Sequence, residues 1–179
     1  MPIVLWMGMS RSLMPCCFGL AFMSWLSSIL PKTKSGFRSE PMPATKEEVA
    51  AFMAAEFPQS KCVVEAVGDD GATVSHHVGP GELRPGGTVS GPVLMGVADV
   101  ALYVAILGKI GIVPLAVTTS LTINFLRKPS ADAHIIAECK LMKVGRTLAV
   151  GEVSLYSKGS SEPVAHVVGT YSIPPERDS

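Results

Sequence analysis

Three residue types, spaced along one short stretch, carry the chemistry this chain could do. Residues 84–99 read Arg-Pro-Gly-Gly-Thr-Val-Ser-Gly-Pro-Val-Leu-Met-Gly-Val-Ala-Asp. Asp99 is the one acid in the apolar segment 89–108, and an unpaired buried carboxylate is costly enough to imply a partner or a task. That segment is long enough for a helix of about five turns. Gly91 and Pro92 mark its start, since glycine is tolerated as an N-cap and proline suits the first helical position. Backbone N–H groups there lack helical partners and can hold a developing negative charge. Asp99 falls about two turns further on. A carboxylate and an oxyanion site are thus expected to face one bound acyl group.

Elements able to position these groups are legible on either side. Residues 45–57 read as a helix, with Thr45 and Glu48 in the spacing of a capping box and Pro58 ending it. Residues 61–68 and 72–78 read as a hairpin around Asp69-Asp70-Gly71, and 84–87 as the loop into the long helix. Four strand-like runs follow, at 115–125, 133–142, 148–156 and 164–173. In the first, Leu115, Val117, Thr119, Leu121, Ile123 and Phe125 alternate onto one face. The short turns predict an antiparallel meander at the C-terminal end, and a long apolar helix with such a meander predicts an α+β fold in which the sheet wraps the helix. A helix apolar on nearly every face needs cover all round, which points to a partner subunit.

The segment 87–99 resembles the active-site helix of PaaI-type hotdog-fold acyl-CoA thioesterases. Residues 116–127, Ala-Val-Thr-Thr-Ser-Leu-Thr-Ile-Asn-Phe-Leu-Arg, and 144–149, Val-Gly-Arg-Thr-Leu-Ala, are similar to that family in the same order. So is the ending at 163–171. The resemblance covers about residues 60–174. It implies a hotdog fold, a dimer with a continuous sheet (often paired into tetramers), and thioester hydrolysis without metal or redox cofactor. It also implies roles. Asp99 would be general base or nucleophile, the Gly91 N–H would polarise the thioester carbonyl, and Thr118 would stand near the attacking water. Arg127, Lys128, Lys143 and Arg146 would be candidates for the phosphates of coenzyme A, with Arg146 the best of them. Arg84 stands where the family has Asn, and Ser90-Gly91-Pro92 where it has His-Gly-Gly. Arg84 is therefore read as binding a substrate carboxylate or pairing with Asp99, and Ser90 as a helix cap or a substrate contact.

Other classes find little support. The 179 residues carry 15 basic and 15 acidic side chains, so no net basic field points to nucleic acid. No helix-turn-helix signal precedes the domain. The four cysteines (Cys16, Cys17, Cys62, Cys139) show no metal-ligand spacing, and Cys62 and Cys139 read as reduced and intracellular. His76 and His77 are strand neighbours that point to opposite faces, which is poor for one metal. A hydratase of this fold would need a histidine between His77 and His134, and none occurs. The rival that remains is a non-catalytic hotdog module binding acyl-CoA or an acyl carrier. Residues 1–41 form an apolar extension, uncharged from Ser12 to Pro31. They are read as a start called too early, with Met42 the natural beginning, or else as a membrane anchor through residues 12–31 or a signal core. Residues 42–179 are the expected domain, and its location is expected to be cytoplasmic.

Overall fold

The computed structural model describes residues 42–175; the readings made for residues 1–41 lie outside them. Helix α1, Lys46–Glu56, opens on the expected capping box. The Glu48 N–H donates to Thr45 Oγ1 at 3.2 Å, and the Thr45 N–H donates to Glu48 Oε2 at 2.9 Å. Strands β1 (Cys62–Gly68) and β2 (Gly71–His76) form the predicted hairpin. The stretch read as a plain loop is instead a tight hairpin of β3 (Leu83–Arg84) and β4 (Thr88–Val89). Gly86 and Gly87 turn it with φ of 93° and 63°, a region that glycine enters without steric cost. Helix α2 runs Gly91–Ile110 and ends on Gly111 at φ 85°. Strands β5 (Val117–Phe125), β6 (Ile135–Val144), β7 (Leu148–Ser157) and β8 (Pro163–Ser172) complete the chain.

Six strands form one antiparallel sheet in the order β1-β2-β6-β7-β8-β5. The meander holds for β6 to β8 only. Strand β5 does not pair with its successor but crosses to the far edge, beside β8. The sheet packs on α2, whose residues from Ala101 to Gly108 are all buried. This is the α+β hotdog arrangement, an antiparallel sheet around one long helix. Helix α2 is also long and apolar enough to cross a membrane, but here it is the core helix of the domain.

Alternation along β5 is not the simple one that the sequence suggests. Thr118 pairs with Tyr171 and Ser120 with Thr170, so Thr119 is the extra residue of a bulge. A bulge inverts the side-chain phase on either side of it. Leu121 and Ile123 face the core, but before the bulge Ala116 is buried while Leu115 and Val117 are exposed. Thr118 is thereby turned to the α2 side.

Close approach of the sheet to α2 depends on a paired notch. Gly151 and Gly169 sit opposite each other on β7 and β8, and both face Leu102 of α2. A Cβ at Gly151 would stand 2.7 Å from Leu102 Cδ2 and 3.1 Å from the Lys140 carbonyl oxygen. Gly169→Ala is expected to cost about 1–3 kcal/mol by overpacking. Thermal unfolding of Gly169→Ala, Leu102→Ala and the double variant checks this. The double variant should be more stable than the two single costs added together.

Candidate active site

Asp99 lies on α2 where the helix passes from half-exposed to fully buried. Two hydroxyls hold its Oδ1. Thr118 Oγ1 donates to it at 2.6 Å and Tyr171 OH at 2.7 Å. Tyr171 OH also lies 3.1 Å from the Asp99 carbonyl oxygen. The structure thus brings together Asp99 and Thr118 of the expected residues and adds Tyr171. Burial, and then the adjoining Asp99, pushes the Tyr171 phenol far above its ordinary value, so it stays a proton donor at any working pH.

Beside the carboxylate opens a cleft of about 460 Å³. Its walls are mostly apolar: Met53 and Phe57 from the α1 end, Val100 and Tyr103 from α2, Pro114 and Ala116 from the segment before β5. Aromatic contacts fix its shape. Tyr103 stacks on Tyr171 with ring centroids 6.1 Å apart, and Phe57 meets Tyr103 edge-on at 5.8 Å. Tyr103 OH donates to the Pro114 carbonyl at 3.2 Å, tying α2 to the chain that leads into β5. An apolar cleft with a few convergent polar groups is the usual form of a small-molecule site.

Gly91 is the first residue of α2, and a Cβ there would stand 3.0 Å from the Phe125 ring. Its N–H has no partner among the described residues. Ser90 occupies the N-cap position, but its hydroxyl makes no capping bond. Its backbone N–H instead donates to the Glu82 carbonyl at 2.9 Å. Glu82 anchors the whole approach to the helix, because its carboxylate receives the Gly79 N–H at 2.7 Å, Lys61 Nζ at 3.1 Å and His76 Nε2 at 3.1 Å. His76, the last residue of β2, is buried, and His77, just beyond the strand, is exposed, so the two point apart as expected. His76 Nδ1 in turn lies 3.7 Å from Cys62 Sγ. Burial pushes the Cys62 thiol up.

The basic candidates divide. Arg84 is exposed on β3 and, among the described residues, makes no ion pair with Asp99, so that expected pairing is absent. Arg127 is engaged, with Nε 2.6 Å from Glu162 Oε2 and Nη1 donating to the Pro163 carbonyl. Lys128 donates to the Gly86 carbonyl at 2.7 Å and holds the β3–β4 turn. Lys143 and Arg146 are exposed around the β6–β7 turn with no ion pair among the described residues. Tyr171 and Glu82 were not singled out from sequence. For Tyr171 the signal was a polar-tipped residue in register with the inward positions Val167 and Gly169 of β8.

Residues 86–164 match the sequence profile of the Thioesterase superfamily. A crystal structure of a protein from Silicibacter sp., assigned as a thioesterase, is similar over 76% of this chain and 97% of its own, at 38% identity and a TM-score of 0.70. The chain belongs to the thioesterase superfamily. This thioesterase-superfamily protein also resembles a mutant of the phenylacetic acid degradation protein PaaI from Thermus thermophilus. Identity there is 26%, coverage 69% and 99% of the two chains, and the TM-score 0.57. Zebrafish thioesterase superfamily member 2 shares the fold at 22% identity and a TM-score of 0.66, over 73% of this chain and 99% of its own. No curated protein matches the sequence significantly.

The Glu82 anchor has a pH signature. Burial works to raise its pKa, but the Gly79, Lys61 and His76 contacts outweigh that and hold it below the ordinary 4.5. A depressed folded-state pKa gives stability that is complete above the unfolded value and is lost as pH falls through the folded one. Urea unfolding of Glu82→Gln against the parent is expected to show a deficit at about pH 8, where the Glu82 carboxylate is fully ionised. The deficit should shrink below pH 4.5 as the parent's own carboxylate becomes protonated.

Proposed function

We propose that this protein hydrolyses an acyl-CoA thioester to the free acid and coenzyme A. The observation that carries the reading is a carboxylate held by two hydroxyls at the mouth of an apolar cleft, on the helix of a thioesterase-superfamily domain. Asp99 takes a proton from water as the resulting hydroxide attacks the thioester carbonyl, or its carboxylate attacks directly. The oxyanion is received by the Gly91 N–H. The C–S bond breaks, and the departing thiolate takes the proton that Asp99 removed from water. On the direct route the thiolate leaves an acyl–Asp99 anhydride, which water then cleaves to the free acid, its other proton going to the thiolate. Thr118 keeps the carboxylate in place, and the cleft takes the acyl group. The scheme uses neither metal nor redox cofactor. Lys143 and Arg146 hold the nucleotide phosphates at the surface. The engagement of Arg127 with Glu162 argues for a smaller part there.

A second copy of the chain belongs in this reading. Eight residues of helix separate Gly91 from Asp99 by about 12 Å, too far for both to serve one carbonyl within a protomer. Gly91 is also absent from the walls of the Asp99 cleft. Meanwhile Met95 and Gly96 are exposed on α2, and Val117 and Phe125 on the edge strand β5. A homodimer, alone or paired into a tetramer, covers these surfaces and brings the Gly91 of one protomer to the Asp99 of the other. Two free thiols, Cys62 and Cys139, favour a cytoplasmic location.

Thiol release from a panel of short, medium, long and aromatic acyl-CoAs tests the reading. Asp99→Asn is expected to lower turnover by about a hundredfold or more. If no thioester turns over while acyl-CoA still binds, the protein is a binding module instead, the outcome that Arg84 and Ser90 in place of Asn and His would favour. Separately, Lys143→Ala with Arg146→Ala should raise KM for CoA thioesters. The same pair should leave thioesters of a short pantetheine fragment, which lacks the nucleotide, unchanged.

A further inference from the structure

We propose that Tyr171 is a positioning residue that fixes which oxygen of Asp99 reacts; this rests on the reading of Asp99 as base or nucleophile. A carboxylate oxygen has two in-plane acceptor directions. On Oδ1 both are taken, one by Thr118 at 2.6 Å and the other by Tyr171 at 2.7 Å. Oδ2 has no protein donor among the described residues and is the oxygen left to take a proton or to attack.

The two donors are not independent. Thr118 and Tyr171 are register partners on β5 and β8, so the sheet itself sets the spacing of the clamp. The bulge at Thr119 gives Thr118 the phase that this requires. Tyr171 is only 3% exposed, and its ring is held against Tyr103 at an interplanar angle of 22°. A phenylalanine would fill that volume equally well, so the hydroxyl is present for what it bonds. Its second acceptor explains how the site survives a change of charge. When Oδ2 takes a proton the carboxyl becomes a weaker acceptor, and the phenol still has the Asp99 carbonyl at 3.1 Å. No buried hydroxyl is orphaned during the cycle.

Steady-state thiol release from Tyr171→Phe, Asp99→Asn and the double variant tests this on the full chain. Tyr171→Phe is expected to lower kcat roughly ten- to a hundredfold, the range for losing a hydrogen bond to a charged group. KM should stay within about twofold of the parent. In the Asp99→Asn background, adding Tyr171→Phe should change nothing further, because Tyr171 acts through Asp99. A Tyr171→Phe enzyme with parental kcat, beside an inactive Asp99→Asn, overturns the inference and leaves the proposed function standing. So does a Tyr171→Phe change that lowers the residual rate of Asp99→Asn by the same factor, which is the mark of a structural role. Full turnover in Asp99→Asn overturns the inference and the role given to Asp99, while the thioester hydrolase itself stands. Should Tyr171→Phe prove too unstable to assay, Thr118→Val removes the other donor from the same oxygen. It must show the same fall in kcat at constant KM and the same silence in Asp99→Asn, or the clamp is refuted.

Discussion

A twenty-residue apolar helix cannot be left in water, and covering α2 organises the rest of this domain. Eleven of its residues are buried, with the run from Ala101 to Gly108 sealed completely by sheet and α1. Close approach of the sheet needs the Gly151–Gly169 notch for Leu102. The first two turns are treated differently, since Pro92, Met95 and Gly96 remain exposed. Asp99 stands at the boundary. A turn further on, at Leu102, a carboxylate would be fully buried against the sheet, at a desolvation cost of several kcal/mol. A turn earlier, at Met95 or Gly96, it would stand on the exposed face of α2, outside the cleft. The site exists where cover runs out.

That boundary also explains why an irregular strand serves the site. A regular β5 in register with its core-facing Leu121 and Ile123 would place Thr118 on the outer face. One extra residue at Thr119 reverses the phase and delivers a hydroxyl to Asp99 without moving the rest of the strand. The cost is exposure of Leu115 and Val117, two apolar residues that regular alternation would have buried. In a monomer this is a liability on an edge strand. It ceases to be one if a second copy covers that edge.

Much of this was legible in the residues. The capping box of Thr45 and Glu48, the start of α2 at Gly91, its stop at Gly111 and the β1–β2 turn are local signals, and local signals survive folding. The hotdog fold and the prominence of Asp99 followed from one acid in an apolar helix beside recognisable motifs. What was not legible depends on pairs. The bulge in β5 is a property of its register with β8, and the strand's own letters alternate without it. The placing of β5 at the far edge needs the same pairing. Tyr171 stood in a quoted motif, yet its bond to Asp99 spans 72 positions of sequence and no periodicity announces it. Arg84 failed as a partner for Asp99 for a similar reason. It sits on the outer strand of a small hairpin, and spacing along the chain does not reveal that.

The start of α2, like Asp99, is held by partners outside its own helix. A serine at the N-cap ordinarily satisfies a helical N–H and stabilises the helix by about 1 kcal/mol. Ser90 has the position and the extended backbone but makes no such bond. Pro92 contributes no N–H at all. The helix end is therefore held from outside, through the Ser90 N–H on Glu82 and the three donors that fix the Glu82 carboxylate. This arrangement secures the path of the backbone without spending the helical N–H groups on the protein's own side chains. Among the described residues the Gly91 N–H is left free at a positively polarised helix end, beside the Phe125 ring, which would stand 3.0 Å from a Cβ. On the proposed mechanism, the oxyanion meets there a donor already oriented, and needs no rearrangement of the helix to be received.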